Sequence, residues 1–103
     1  MTKKEQREAK LKTALKELGS GKNKIAEALK TKKIKGVMGS PDYCVIAVFV
    51  KKLFPKAASF DVDSDNITIC WNNDDCISIV PPKAIGNFIT SFDGNAYPHL
   101  VKN

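Results

Sequence analysis

The apolar run from Cys44 to Val50 constrains this chain more than any other feature. Ser40-Pro41-Asp42 precedes it, and Lys51-Lys52 and Pro55 follow. Serine at an N-cap, proline at the first helical position and an acid near the positive end of the dipole are helix-start chemistry. Pro55 stops the segment, because proline lacks the amide donor and its ring clashes with the preceding turn. Val45, Ile46, Val48 and Val50 are β-branched, so a strand is the alternative for residues 43–54. The punctuation at both ends favours a helix, and a strand of that extent would be unusually long. So apolar a helix is buried on nearly every side and forms the centre of the core. It is far too short to span a bilayer.

Other segments arrange themselves around it. Thr2-Lys3-Lys4-Glu5 is a capping box that opens a first helix. Leu11, Ala14, Leu15 and Leu18 follow at helical spacing, and Gly19 is expected to end the helix in the left-handed conformation. Ile25, Ala26, Ala28 and Leu29 mark a second helix over about residues 22–32. Residues 36–39 read as a loop. Three alternating segments come next, Ser59–Asp63, Ile67–Trp71 and Cys76–Val80, separated by the Asp/Asn-rich turns 63–66 and 72–75. They predict an antiparallel meander with Ile67, Ile69, Ile77 and Ile79 inward. Setting Ile69 opposite Ile77 puts Cys70 opposite Cys76 on the other face. Pro81-Pro82 opens a last helix whose stripe is Ile85, Phe88, Ile89 and Phe92, with Gly94 as its cap. Tyr97, Pro98 and Leu100 are expected to pack back on the domain. The fold class predicted is α+β: N-terminal helices, a buried central helix, a three-stranded antiparallel meander and a C-terminal helix on the same sheet face.

A chain of 103 residues fits one domain, residues 1–103. Charge divides it into a Lys-rich helical segment, 1–35, and a compact α+β core, 36–103. The first segment holds twelve of the seventeen basic residues and four acids, a net of +8; the second holds five lysines and seven aspartates, a net of −2. A basic segment suits a polyanion such as nucleic acid, a nucleotide phosphate or an acidic protein face. It is equally the composition of a solvated helix that keeps a small protein soluble. Arg7 is the only arginine, and bidentate readout of guanine or phosphate favours arginine, so sequence-specific recognition ranks below loose polyanion binding. With no apolar stretch behind Met1, no secretory signal is read. The expectation is a cytoplasmic protein with no membrane partner and with Cys44, Cys70 and Cys76 as reduced, non-structural thiols.

Enzymatic chemistry finds no constellation. His99 is the single histidine and lies in the tail, away from any sequence-local nucleophile. Cys44, within the apolar run, reads as a buried inert thiol. Cys70 and Cys76 have five residues between them and no CxxC unit, which is poor zinc spacing. Asp61, Asp63 and Asp65 alternate as in a calcium loop, but Asn66 and Asn72 stand where glycine and glutamate belong. Gly19-Ser20-Gly21-Lys22 echoes a phosphate loop without its preceding strand or its Ser/Thr after the lysine. Residues 24–29 look like the first half of a helix-turn-helix, yet the candidate recognition helix is apolar, the opposite of a groove reader. No catalytic residue, cofactor or metal is expected.

Two tracts resemble a known group. The segment 44–50 follows a Gly-containing loop, and residues 80–93, starting Val80-Pro81-Pro82 and ending Phe92-Asp93, lead into Tyr97-Pro98-His99-Leu100. Together they resemble short uncharacterised bacterial and phage proteins with a Cys-containing apolar helix, a V-P-x-P-like turn and an F-D…Y-P-x-L ending. The turn here is one residue tighter and no proline follows Cys44. The resemblance covers the last two-thirds and implies a compact structural unit, with no catalytic residue to transfer.

The function expected is a small, basic, non-enzymatic binding protein that engages an anionic partner, foremost nucleic acid, through Lys22, Lys24, Lys30, Lys32, Lys33 and Lys35. The inward apolar stripes of the two helices should push these lysines onto one surface. Two alternatives stand beside it. One is a phage-type inhibitor or adaptor that binds a host protein through Trp71 and the sheet. The other is a small-nucleotide sponge using helix-start amides and lysines. Trp71, at the tip of the meander, is the partner-contact candidate, or else it caps the end of the core.

Overall fold

A computed structural model of the chain describes residues 2–102. The first helix, α1 (Lys3–Leu18), opens on the capping box. The Thr2 hydroxyl accepts from the Glu5 amide at 3.1 Å, and the Thr2 amide donates to the Glu5 carboxylate. Its stripe, Leu11, Leu15 and Leu18, is buried. Gly19 does not adopt the expected left-handed helical cap. Its φ of 147° and ψ of 164° lie in a region that glycine alone enters freely, and this turns the chain sharply into α2 (Lys22–Thr31). An added Cβ there would sit 2.8 Å from the Cβ of Lys24. The end of α2 is a Schellman motif: Ile34 N–H donates to the Leu29 carbonyl, Lys33 N–H donates to that of Lys30, and Ile34 and Leu29 are both buried. The left-handed position is held by Lys33, with φ 60°, where glycine is usual.

The apolar run is helical, as α3 (Val45–Leu53), but it starts later than the punctuation indicates. Ser40 caps a separate turn instead: its hydroxyl accepts from the Tyr43 amide, and its carbonyl accepts from the Cys44 amide. The N-cap of α3 is Cys44, whose sulfur accepts from the Ala47 amide at 3.4 Å. The turn is displaced because Gly36 must dock there. Its backbone lies so close to Val45 that a Cβ would come within 2.2 Å of the Val45 nitrogen. Gly36 also pairs in parallel with Val101, exchanging bonds with Leu100 and Lys102, so the loop at 36–39 ties the C-terminal tail to the start of α3.

Strands β1 (Ser59–Val62), β2 (Ile67–Asn72) and β3 (Asp75–Ile79) form an antiparallel sheet in sequence order. The register is the expected one: Ile69 opposite Ile77, Ile67 opposite Ile79, all four buried. Asp63 closes the first turn by accepting from the amides of Asp65 and Asn66. On the outer face Cys70 and Cys76, 4.0 Å apart at Cα, are joined by a disulfide. The thiols are thus not all free, as the sequence default had it. Compartment sets that default, whereas the register sets the two sulfurs side by side. Past Cys70 the pairing shifts. Asn72 faces Asp75, so Trp71 is an extra, unpaired residue in a β-bulge. Val80, expected to close β3, lies outside it and is 77% exposed.

Helix α4 (Lys83–Asp93) buries Ile85, Phe88, Ile89 and Phe92 and packs against α2. Gly94 ends the helix, but the left-handed residue is Asn95, φ 63°, with Ala96 N–H bonded to the Ser91 carbonyl. Tyr97 stacks on Phe88 with ring centroids 5.0 Å apart and donates from its hydroxyl to Asn23. Tyr97 and Leu100 are buried in the tail, whereas Pro98 is exposed. The buried residues form one cluster running from Leu11 to Leu100. Leu11, Leu15, Ile25 and Leu29 belong to it, so the Lys-rich helices are walls of the core and not an appendage to residues 36–103.

Candidate nucleic-acid interface

The bulge directs Trp71 into the angle between the start of α1 and the end of α3. Arg7, one turn into α1, lies over the indole with its guanidinium carbon 3.7 Å from the ring centroid. Its Nη1 donates to both carboxylate oxygens of Asp75 at 3.0 Å, so the first residue of β3 fixes the guanidinium in place. The Arg7 side chain is only 17% exposed. Phe54, the C-cap of α3, meets Trp71 edge-on with centroids 5.5 Å apart and an interplanar angle of 86°. Lys10 donates to the Leu53 carbonyl at 3.2 Å, where a cation also complements the negative end of α3, and its Nζ is 5.1 Å from the Phe54 centroid.

These residues border an open groove of about 470 Å³. Leu53, Phe54, Pro55 and Trp71 make its apolar part, and Lys3, Arg7, Lys10 and Lys56 its basic part; no acid lines it. Lys3, Arg7 and Lys10 come from one face of α1, as their i, i+4, i+7 spacing requires. That spacing is legible in the sequence. Nothing sequential links it to Phe54, Lys56 or Trp71, which reach the groove only through tertiary packing.

All six lysines expected to bind anions, Lys22, Lys24, Lys30, Lys32, Lys33 and Lys35, are exposed. They do not share one face. At about 100° per residue, Lys24 and Lys30 point about 120° apart around α2, and Lys33 and Lys35 lie beyond its end. Lys24 and Lys32 flank a shallow depression together with Glu17 and Glu27. The apolar stripe of α2 excludes lysine from one side of that helix but does not gather it on another. Trp71 is part-buried, held between Arg7 and Phe54.

Elsewhere, Cys44 is 2% exposed, and burial pushes its thiol above the ordinary range despite the bonds from the Ala47 and Ile46 amides. His99 is exposed and edge-on to Tyr97. Among the described residues no group of three or more His, Cys, Asp or Glu side chains is placed to hold a metal ion, and no helix is long and apolar enough to cross a membrane. No protein-family model, curated protein or solved structure matches the chain. The protein is thus an α+β fold with a basic and apolar groove between the start of α1 and the end of α3.

Proposed function

We propose that this protein binds nucleic acid through exposed lysines of α1, α2 and the turn after α2, without catalysing a reaction. The observation that carries the reading is the uncompensated charge. Among the described residues the only ion pair is Arg7–Asp75, so the lysines of α1 and α2 remain available to phosphates. Binding of this kind is electrostatic and indifferent to sequence, with each neutralised phosphate adding about 0.9 to the slope of log affinity against log salt. In this reading the protein acts in the cytoplasm.

The test is a mobility-shift titration over a range of salt. Binding at about 50 mM salt that falls steeply toward 200 mM is the expected result. The triple variant K32Q/K33Q/K35Q should bind more weakly, with a flatter salt slope and an almost unchanged Tm. Absence of binding to DNA and RNA at low salt would overturn the proposal, as would undiminished binding by the triple variant. A second reading, an adaptor or inhibitor on a host protein in keeping with the phage-like resemblance, has one observation in its favour. Val37, Met38 and Tyr43 expose apolar surface on adjoining turns joined by the Val37 N–H to Tyr43 carbonyl bond.

A further inference from the structure

We infer that the groove between the start of α1 and the end of α3 takes the bases of a single-stranded nucleic acid, with backbone phosphates on Lys3, Lys10 and Lys56. The inference rests on the nucleic-acid reading above and narrows it to one site and one form of ligand. Proteins that hold single strands without sequence preference combine aromatic platforms with a positive groove that tracks the backbone. Both parts are present. Trp71 lines the groove part-exposed, with Arg7 over its ring and Phe54, only 7% exposed, braced edge-on against it at 5.5 Å, so a planar base stacks on the part of the indole that remains open. The cations around this ring face no acid across the groove. Asp75 approaches only Arg7, and this pins the guanidinium over the indole instead of leaving it mobile.

The length of the basic edge argues for a chain and against a free nucleotide. Lys3 to Lys10 spans seven residues of α1, about 10 Å along the helix axis, which exceeds the reach of one phosphate. The Lys3 and Lys56 ammonium groups form no hydrogen bond or ion pair among the described residues, and Lys10 makes one bond, to Leu53, out of the three its ammonium can donate. A duplex keeps its base faces stacked inside and can offer this site only phosphates. The groove should therefore favour single strands over duplexes. Every base has a π-face, so it should not favour one sequence strongly.

Trp71 is the only tryptophan, so its fluorescence reports on this groove alone. The experiment titrates the full chain with a short oligothymidylate, with a duplex of equal length and with polyglutamate, following emission and mobility shift in parallel at about 50 mM salt. Oligothymidylate should quench Trp71 in step with the mobility shift, and the duplex should shift mobility without comparable quenching. The exposed double variant K3Q/K56Q should lose about three- to tenfold in single-strand affinity, through its two missing phosphate contacts, with Tm unchanged. Binding of oligothymidylate with no change in emission, or with full affinity in K3Q/K56Q, would overturn the groove and leave the lysine-helix reading standing. Equal quenching by polyglutamate would also overturn it, since that polymer supplies charge without bases. Failure of every nucleic acid to bind would overturn both readings.

Discussion

Arg7 and Trp71 are 64 residues apart in sequence, and the guanidinium of one rests 3.7 Å from the ring centre of the other. The same guanidinium holds Asp75, so a single side chain clamps the first turns of α1 to both strands of the second hairpin. A cation over tryptophan contributes about 0.5–2 kcal/mol, more when desolvated, as at this largely buried site. Arg7→Ala should therefore lower stability by about 1–2 kcal/mol and change the Trp71 emission, as chemical denaturation followed by fluorescence would show. Arg7→Lys should recover little of the loss, because lysine lacks the planar fork that stacks and bonds at once.

Lys33 is held at φ 60°, where an L-residue with a Cβ is strained by about 1–2 kcal/mol. Glycine removes that strain but adds freedom to the unfolded chain. Lys33→Gly should stabilise the protein by about 0.5–1 kcal/mol, visible as a rise in Tm. A fall in Tm would mean that the Schellman turn after α2 is not formed in solution.

Glycines 36 and 86 leave no room for a methyl group, whereas Gly21 faces open space. A Cβ on Gly36 would come within 2.2 Å of the Val45 nitrogen, and one on Gly86 within 2.6 Å of the Ser64 carbonyl oxygen. Gly36→Ala should cost about 3 kcal/mol or more, by forcing the tail pairing and the start of α3 apart. Gly21→Ser should instead add about a few tenths of a kcal/mol, because the N-cap of α2 has no side-chain acceptor. Thermal melts of the two variants, moving in opposite directions, check both.

The Cys70–Cys76 bridge closes a loop with five residues between its ends. On the chain-entropy account a loop this small stabilises by about 2 kcal/mol. Reductant should lower Tm by on the order of 10 °C in a domain of this size. C70S/C76S should melt at the lower temperature with or without reductant. An unchanged Tm on reduction of the wild-type protein would show that the bridge is not part of its native state.

Burial raises the pKa of Cys44, so the folded state retains a proton that the unfolded state gives up. The stability linked to this group is intact below the ordinary thiol range and is lost as pH rises through it toward the raised folded value. Cys44→Ala should lack that alkaline loss. Wild-type minus variant unfolding free energy, measured across the alkaline range, should decline with pH. The native thiol should also resist alkylation until the protein is unfolded.

Much of the fold is written in local chemistry. The capping box of α1, the apolar stripe of α4, the helical reading of 45–53 and the isoleucine register of the meander all follow from spacing, because each depends on residues that are near neighbours or repeat with a fixed period. Even the pairing of Cys70 with Cys76 across the strands follows from that register, although their bond does not. The sequence is equally clear that twelve of the seventeen basic residues belong to the first 35, and that apolar stripes would turn many of them outward. Where those charges would meet anything was decided only in three dimensions. A one-residue bulge re-aims Trp71, and close approach at Gly36 shifts the cap of α3 from Ser40 to Cys44. The packing of α1 against the hairpin then brings Arg7, Lys10, Phe54 and Lys56 around one groove. These contacts join residues tens of positions apart. Periodicity fixes which face of an element is buried, but the partner on that face is chosen by the packing of the whole core.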